Sequence, residues 1–159
     1  MIVGVVGGSR VDKETAEAAY EVGKLLAEKE ALVVCGGLGG VMEAVCQGVA
    51  DGNGVSVGIL PTDDTTEANY YVSVPIATGI GNARNFIIAR TAEVLIAIGG
   101  SYGTLSEIAI GLNLGKPVIA LNTWEIDKAG FVDTDLFIRA KNAEDAVTKA
   151  LNLRKGYKK

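Results

Sequence analysis

The chain contains no histidine, only three prolines, two cysteines and one tryptophan among its 159 residues. Without histidine there is no Ser-His-Asp triad, no Cys-His pair, no imidazole zinc site and no histidine acid or base. Any chemistry falls to carboxylates, Arg, Lys, Tyr, hydroxyls and backbone amides. Cys35 and Cys46 are too few for a disulfide framework, and each sits in an apolar stretch, so two buried thiols and a reducing cytoplasm are expected. No stretch approaches the roughly 18 consecutive apolar residues that span a bilayer, and Met1 and Ile2 enter an apolar run without a basic leader. Neither export nor membrane insertion is expected. Positive charge is also scarce: the net charge is −4 and the pI near 4.9, which excludes a protein gripping duplex nucleic acid through its phosphates. A small anion held by a few amides at a helix end remains open.

What the chain has in excess is glycine, 21 of 159 residues against an average of about 7%. With 48% apolar residues it suffices for one substantial core, and we read residues 1–153 as a single domain followed by a basic tail, 154–159. Short apolar runs recur, each followed by glycine and then by a helical pattern, which is the signature of βα units on a parallel sheet. Strands are expected at Ile2 to Val6, Leu32 to Cys35, Val55 to Leu60, Val94 to Ile98 and Val118 to Leu121, with an edge strand at Phe137 to Arg139. Helices are expected from Asp12 as cap to Glu28, Gly39 to Ala50, Asn82 to Thr91, Thr104 to Leu114, and Asn142 as cap to Asn152. Tyr70 to Ile76 reads as a short strand broken by Pro75. The expected architecture is a Rossmann-like, doubly wound, mainly parallel α/β sheet with helices on both faces. Phe86 to Ala89 in a row, and Ile110 outside its helix's apolar stripe, suggest helices buried on more than one side, hence a homodimer or homotetramer.

Three glycine-rich turns each follow a strand and precede a helix: Gly7-Gly8-Ser9-Arg10, Gly36-Gly37-Leu38-Gly39-Gly40, and Gly99-Gly100-Ser101-Tyr102-Gly103-Thr104. In a doubly wound sheet all three lie at the carboxyl edge, where ligands bind. Glycines let an anion approach the backbone while the first helical N–H groups point at it with the positive end of the dipole. A phosphate is the natural occupant, and Gly8, Ser9, Arg10, Gly37, Gly39, Gly40, Gly100, Ser101, Tyr102, Gly103 and Thr104 are its candidate contacts. Neither the dinucleotide fingerprint nor the P-loop lysine is present, which argues against NAD and P-loop ATP binding.

Single residues admit two readings. Thr104 and Glu107 fit a capping box, in which both serve the helix end, yet a carboxylate in a first turn also faces the ligand. Arg84 gains nothing from the dipole at the start of its helix, and an Arg beside a phosphate would remove that penalty. Asp63, Asp64 and Glu67 read better as turn caps and solvated charge than as a magnesium site, and no metal is expected.

The run Gly36 to Ala44, the segment Gly81-Asn82-Ala83-Arg84-Asn85, and Gly99 through Glu107 resemble the Lonely Guy and molybdenum-cofactor-carrier superfamily, often mislabelled as lysine decarboxylases. Its most specific motif is proline-Gly-Gly-x-Gly-Thr-x-x-Glu; here Gly99 replaces the proline and Ser101 the second glycine. In the phosphoribohydrolase branch, the resemblance implies that this motif binds ribose 5′-phosphate and that its Glu and an Arg from the preceding helix serve catalysis. Those roles fall on Glu107 and Arg84. That branch reads Met-His-x-Arg-Lys around its Arg, whereas this chain reads Asn82-Ala83-Arg84-Asn85, closer to the cofactor-carrier branch. No pattern for a pyridoxal-binding lysine is evident. The expectation is therefore a binding protein for a phosphate-bearing, nucleotide-like ligand, such as molybdopterin cofactor, with no further cofactor required. The alternative is a phosphoribohydrolase that splits a nucleoside 5′-monophosphate into base and ribose 5-phosphate.

Overall fold

The computed structural model describes residues 1–130, 133 and 135–153; the tail expected at 154–159 lies outside the described residues. Among the described residues seven strands form one parallel sheet: β1 (Ile2–Gly7), β2 (Leu32–Cys35), β3 (Ser56–Leu60), β4 (Val74–Ala77), β5 (Val94–Ile98), β6 (Val118–Leu121) and β7 (Phe137–Ala140). Their order is β4-β3-β2-β1-β5-β6-β7, so the chain moves outward from β1 in one direction and then restarts at β5 on its other side. Val3 pairs with both Val33 of β2 and Val94 of β5, which places the switch point at β1.

Because both faces are covered, the strands are apolar without alternation, and the side-chain period of two sorts them into two cores. Val3, Val5, Val94, Ile96 and Ile98 pack beneath α1 (Lys13–Glu28), α2 (Val41–Asp51) and α5 (Ala143–Leu153). Val6, Leu95, Ala97 and Val118 face the opposite way, against Ile88 of α3 (Arg84–Thr91) and Ile108 of α4 (Tyr102–Asn113). Burial of these side chains is the main stabilising term, about 1.5–3 kcal/mol for each large one. Asp12 caps α1 by accepting from the Thr15 amide at 2.8 Å, and Asn142 caps α5 through the Asp145 amide at 2.9 Å.

Several boundaries differ from the sequence reading: β4 starts at Val74 rather than Tyr70, α3 at Arg84 rather than Asn82 because Gly81–Ala83 form a separate tighter turn, and three further differences have a local reason. Pro75 lies inside β4, paired opposite Gly58, rather than breaking it; the strand sits on the sheet edge, where a missing N–H is tolerated. Helix α2 starts at Val41, because Gly40 takes φ +65, outside the helical region, and serves as its N-cap, its carbonyl accepting from the Ala44 amide at 3.0 Å. Helix α4 starts at Tyr102, two residues early, with Ser101 as its N-cap. The two thiols are buried and unbridged, their sulfurs 3.5 Å apart, and the hydrogen bond to Cys46 together with burial pushes the Cys35 thiol up. Asp64 is a turn cap, accepting from the Thr66 amide at 2.8 Å.

Candidate functional site

The topology brings the ends of β1, β2 and β5 side by side, and their three glycine turns surround one cavity of about 240 Å³. The first turn contributes Gly7 and Ser9, the second Gly36 and Leu38, and the start of α4 contributes Ser101, Gly103 and Thr104. Met42, Arg84 and Glu107 complete the wall with Asn82 and Asn85. Convergence follows from the fold: β1, β2 and β5 are adjacent and parallel, so their carboxyl ends cannot diverge.

The early start of α4 changes the part Glu107 plays. With Ser101 as N-cap, the third helical residue is Thr104, whose Oγ1 accepts from the Ser101 amide at 3.4 Å. The reciprocal capping interaction expected of Thr104 and Glu107 is therefore made one step earlier, by Ser101 and Thr104. Glu107 then lies in the second turn, 5% exposed, with its Oε1 3.5 Å from Arg84 Nη1. Arg84 opens α3 and is 7% exposed. An acid and a base are thus held where ions are costly, and ionising the pair works against its own desolvation. Burial raises the Glu107 carboxyl from 4.5 to about 7, with the Arg84 charge opposing, and burial also lowers the Arg84 guanidinium.

The guanidinium is under-satisfied. Nη1 meets Glu107, Nη2 donates to Met42 Sδ at 4.0 Å, and Nε has no hydrogen-bond partner among the described residues. A guanidinium offers five donors, and leaving one buried and unused costs about 1–3 kcal/mol. Space for Arg84 is made by Gly36: a Cβ there would lie 2.4 Å from both terminal nitrogens. Asn85 ties the two helices together, donating to Ser106 Oγ at 3.1 Å and to the Gly103 carbonyl at 3.5 Å.

Of the candidate contacts, the cavity brings together Ser9, Arg84, Ser101, Gly103, Thr104 and Glu107. The remaining ones sit behind or beside it. Gly8 and Gly40 form the crossing of the first two turns: the Gly8 carbonyl accepts from the Val41 amide at 3.0 Å, and a Cβ on Gly40 would lie 2.3 Å from that oxygen. Gly37 takes φ +72 against Leu60 and Gly58, while Gly39 has room and borders Ser9. Arg10 lines a separate shallow depression with Gly40, Glu43 and Gln47. Gly100 packs on Thr104, and Tyr102 is 83% exposed. Sequence reasoning missed Gly36, Met42 and Asn85 as contacts. The first lies in a quoted glycine run, but spacing cannot say which of four glycines faces an arginine 48 residues away. Among the described residues no group of three or more acidic, cysteine or histidine side chains could hold a metal ion.

A doubly wound α/β protein with a polar-lined cavity at its switch point is the class these features define. The chain belongs to the SLOG cluster4 family, whose model matches residues 1–152. It is 47% identical over 121 residues to an uncharacterised protein of Archaeoglobus fulgidus, covering 76% of this chain and 80% of that one. It is 32% identical to the probable cytokinin riboside 5′-monophosphate phosphoribohydrolase LOGL9 of Oryza sativa subsp. japonica, covering 84% of this chain and 69% of that protein. Among solved structures it matches the molybdenum cofactor carrier protein of Chlamydomonas reinhardtii with a TM-score of 0.89 at 33% identity, covering 97% and 98% of the two chains. No helix among the described residues is long and apolar enough to cross a membrane.

Proposed function

We propose that this protein binds a phosphate-bearing, nucleotide-like small molecule in the cavity between its three glycine turns, as a carrier. The reading rests on one observation above all: a buried Arg84 with an unused donor beside the amino end of a twelve-residue helix. The amides of Tyr102 and Gly103 are among the four at a helix start that have no partner within the helix, that of Thr104 being taken by the Ser101 cap, and the dipole there favours an anion. A phosphate oxygen accepting from Arg84 Nε would supply the missing partner, and Ser9 and Ser101 bring hydroxyls to the same space. Molybdenum cofactor, which carries a phosphate, suits the cavity's chemistry, and the carrier protein of Chlamydomonas reinhardtii supports that ligand class. The protein needs no other cofactor in this role. Asn82 and Asn85 stand where the phosphoribohydrolase branch has a His and a Lys, so the residues around Arg84 favour binding over catalysis.

A second reading is favoured by Glu107. A carboxyl held near 7 inside the cavity is poised between its two protonation states at neutral pH. In this reading water adds to C1′ of a nucleoside 5′-monophosphate as the N-glycosidic bond breaks, the base leaves with a proton, and ribose 5-phosphate remains. Glu107 stabilises the oxocarbenium-like sugar and positions the water, and Arg84 holds phosphate or leaving base. Incubation with AMP separates the two. The carrier reading predicts retained binding without release of adenine; adenine release abolished by Glu107→Ala would replace it with the enzyme.

The outer face of α3 fits a homo-oligomer: Phe86 is 50% exposed and Ile80, just before the helix, 49%. Self-association through this face would bury them. Light scattering at micromolar concentration reads a multiple of 16.5 kDa if it does, and a clean monomer if it does not. Two unbridged buried thiols suit a reducing cytoplasm, the compartment we propose.

A further inference from the structure

Tyr102 is left unexplained by the cavity. The residues on either side of it, Ser101 and Gly103, both line the cavity, so its backbone belongs to the rim, yet 83% of the residue is exposed. The hydroxyl caps nothing, because Ser101 and Thr104 serve that end of α4. The ring is nevertheless held in place. It stacks on Trp124, with centroids 6.1 Å apart and planes 28° from parallel. Trp124 in turn donates its Nε1–H to the Ser101 carbonyl at 3.2 Å, which ties the segment after β6 to the rim. The outcome is a two-ring shelf beside the entrance, one ring anchored by a hydrogen bond and the other turned to water.

The size of the cavity gives that shelf a use. At about 240 Å³ it falls below the roughly 300–1,000 Å³ of pockets that enclose whole drug-sized ligands. It therefore accommodates the phosphate end of a nucleotide-sized molecule and leaves the remainder outside, over the rim. Flat nitrogenous rings stack well on exposed aromatic faces, because every such ring offers a π-face and stacking removes apolar surface from water. We propose that Tyr102, backed by Trp124, is the specificity-determining residue of this site and stacks the planar heteroaromatic ring of the ligand whose phosphate enters the cavity. The proposal rests on the phosphate site of the preceding section. Its chemistry is shared by a nucleobase and a pterin.

Calorimetric titration of the full chain with three probes tests it: ribose 5-phosphate, which has no aromatic ring; the carbocyclic analogue of AMP, whose base does not hydrolyse away; and neopterin monophosphate. Tyr102→Ala is expected to weaken both ring-bearing probes about tenfold and to leave ribose 5-phosphate unchanged, while Tyr102→Phe retains native affinity. Whichever ring-bearing probe binds the native chain more tightly identifies the ring as base or pterin. Trp124 is the chain's single tryptophan, so its emission should change with the ring-bearing probes and stay constant with ribose 5-phosphate. Equal weakening of all three probes by Tyr102→Ala, or of none, overturns the shelf while the phosphate site stands. Failure of ribose 5-phosphate to bind the native chain overturns both.

Discussion

The crossing of α1 and α2 and the amino end of α4 use glycine and charge in opposite ways. On the α1–α2–α5 face, glycine brings backbones together. A Cβ on Gly23 would lie 2.2 Å from the Val45 carbonyl oxygen, and one on Gly48 only 2.0 Å from that of Tyr20, so α1 and α2 cross at van der Waals contact between their main chains. On the α3–α4 face, a Cβ on Gly103 would meet nothing closer than 3.9 Å, and two oppositely charged side chains are buried beside it. The first face is packed to the limit of its backbone. The second keeps an open volume and an unsatisfied donor, features that cost stability and are retained where a ligand offsets them. Glycine content alone does not distinguish the two.

The largest expected effect breaks the packed face. Gly48→Val forces α1 and α2 apart and should cost more than about 3 kcal/mol, read as the loss of a cooperative melt at the native midpoint. Its counterpart, Gly103→Val, should leave stability within about 1 kcal/mol, since the new side chain enters free space. The same substitution fills the cavity and should weaken ribose 5-phosphate at least tenfold by calorimetry. If both glycine variants behaved alike, the contrast between the layers would be lost.

Arg84→Met comes next. On the proposed reading it removes a charge-assisted contact to the phosphate, worth about 1.5–3 kcal/mol, so affinity for ribose 5-phosphate should fall by roughly 10- to 100-fold. Glu107 sets the pH dependence. Its folded carboxyl titrates near 7 against 4.5 for the free side chain, so between those values the unfolded chain has released a proton that the folded one still holds. Stability therefore falls as pH rises from about 4.5 to 7, by on the order of 3 kcal/mol at most, and is level above. Glu107→Gln removes this slope. Urea melts should show it equal to native at pH 4 and about 1–3 kcal/mol more stable at pH 9. The smallest effect is that of Phe86→Asp, which should leave the melt within about 0.5 kcal/mol while shifting the association equilibrium toward monomer.

Much of this arrangement is legible in the residues themselves. The apolar runs and their following glycines place six strands and five helices to within a few positions, because a parallel sheet buried on both faces leaves no freedom to its strand composition. The meeting of three turns follows from strand order, and strand order follows from the switch between β1 and β5. The α4 boundary illustrates where such reading stops. Ser101-x-x-Thr104 and Thr104-x-x-Glu107 are overlapping capping patterns three residues apart, and only packing chooses the first. That choice turns Glu107 from a helix cap into a buried partner of Arg84. Equally, the need for Gly36 is set by a guanidinium arriving from α3, a contact that no local pattern encodes.

The most direct test of an anion held at the start of α4 is an amide nitrogen–proton spectrum of the native chain titrated with ribose 5-phosphate. The account predicts that the amides of Tyr102 and Gly103 shift most, with the Arg84 Nε–H signal moving in step and saturating at the same concentration. Shifts centred instead on the Gly40 crossing or the Arg10 depression, with Tyr102 and Gly103 unmoved, would contradict it.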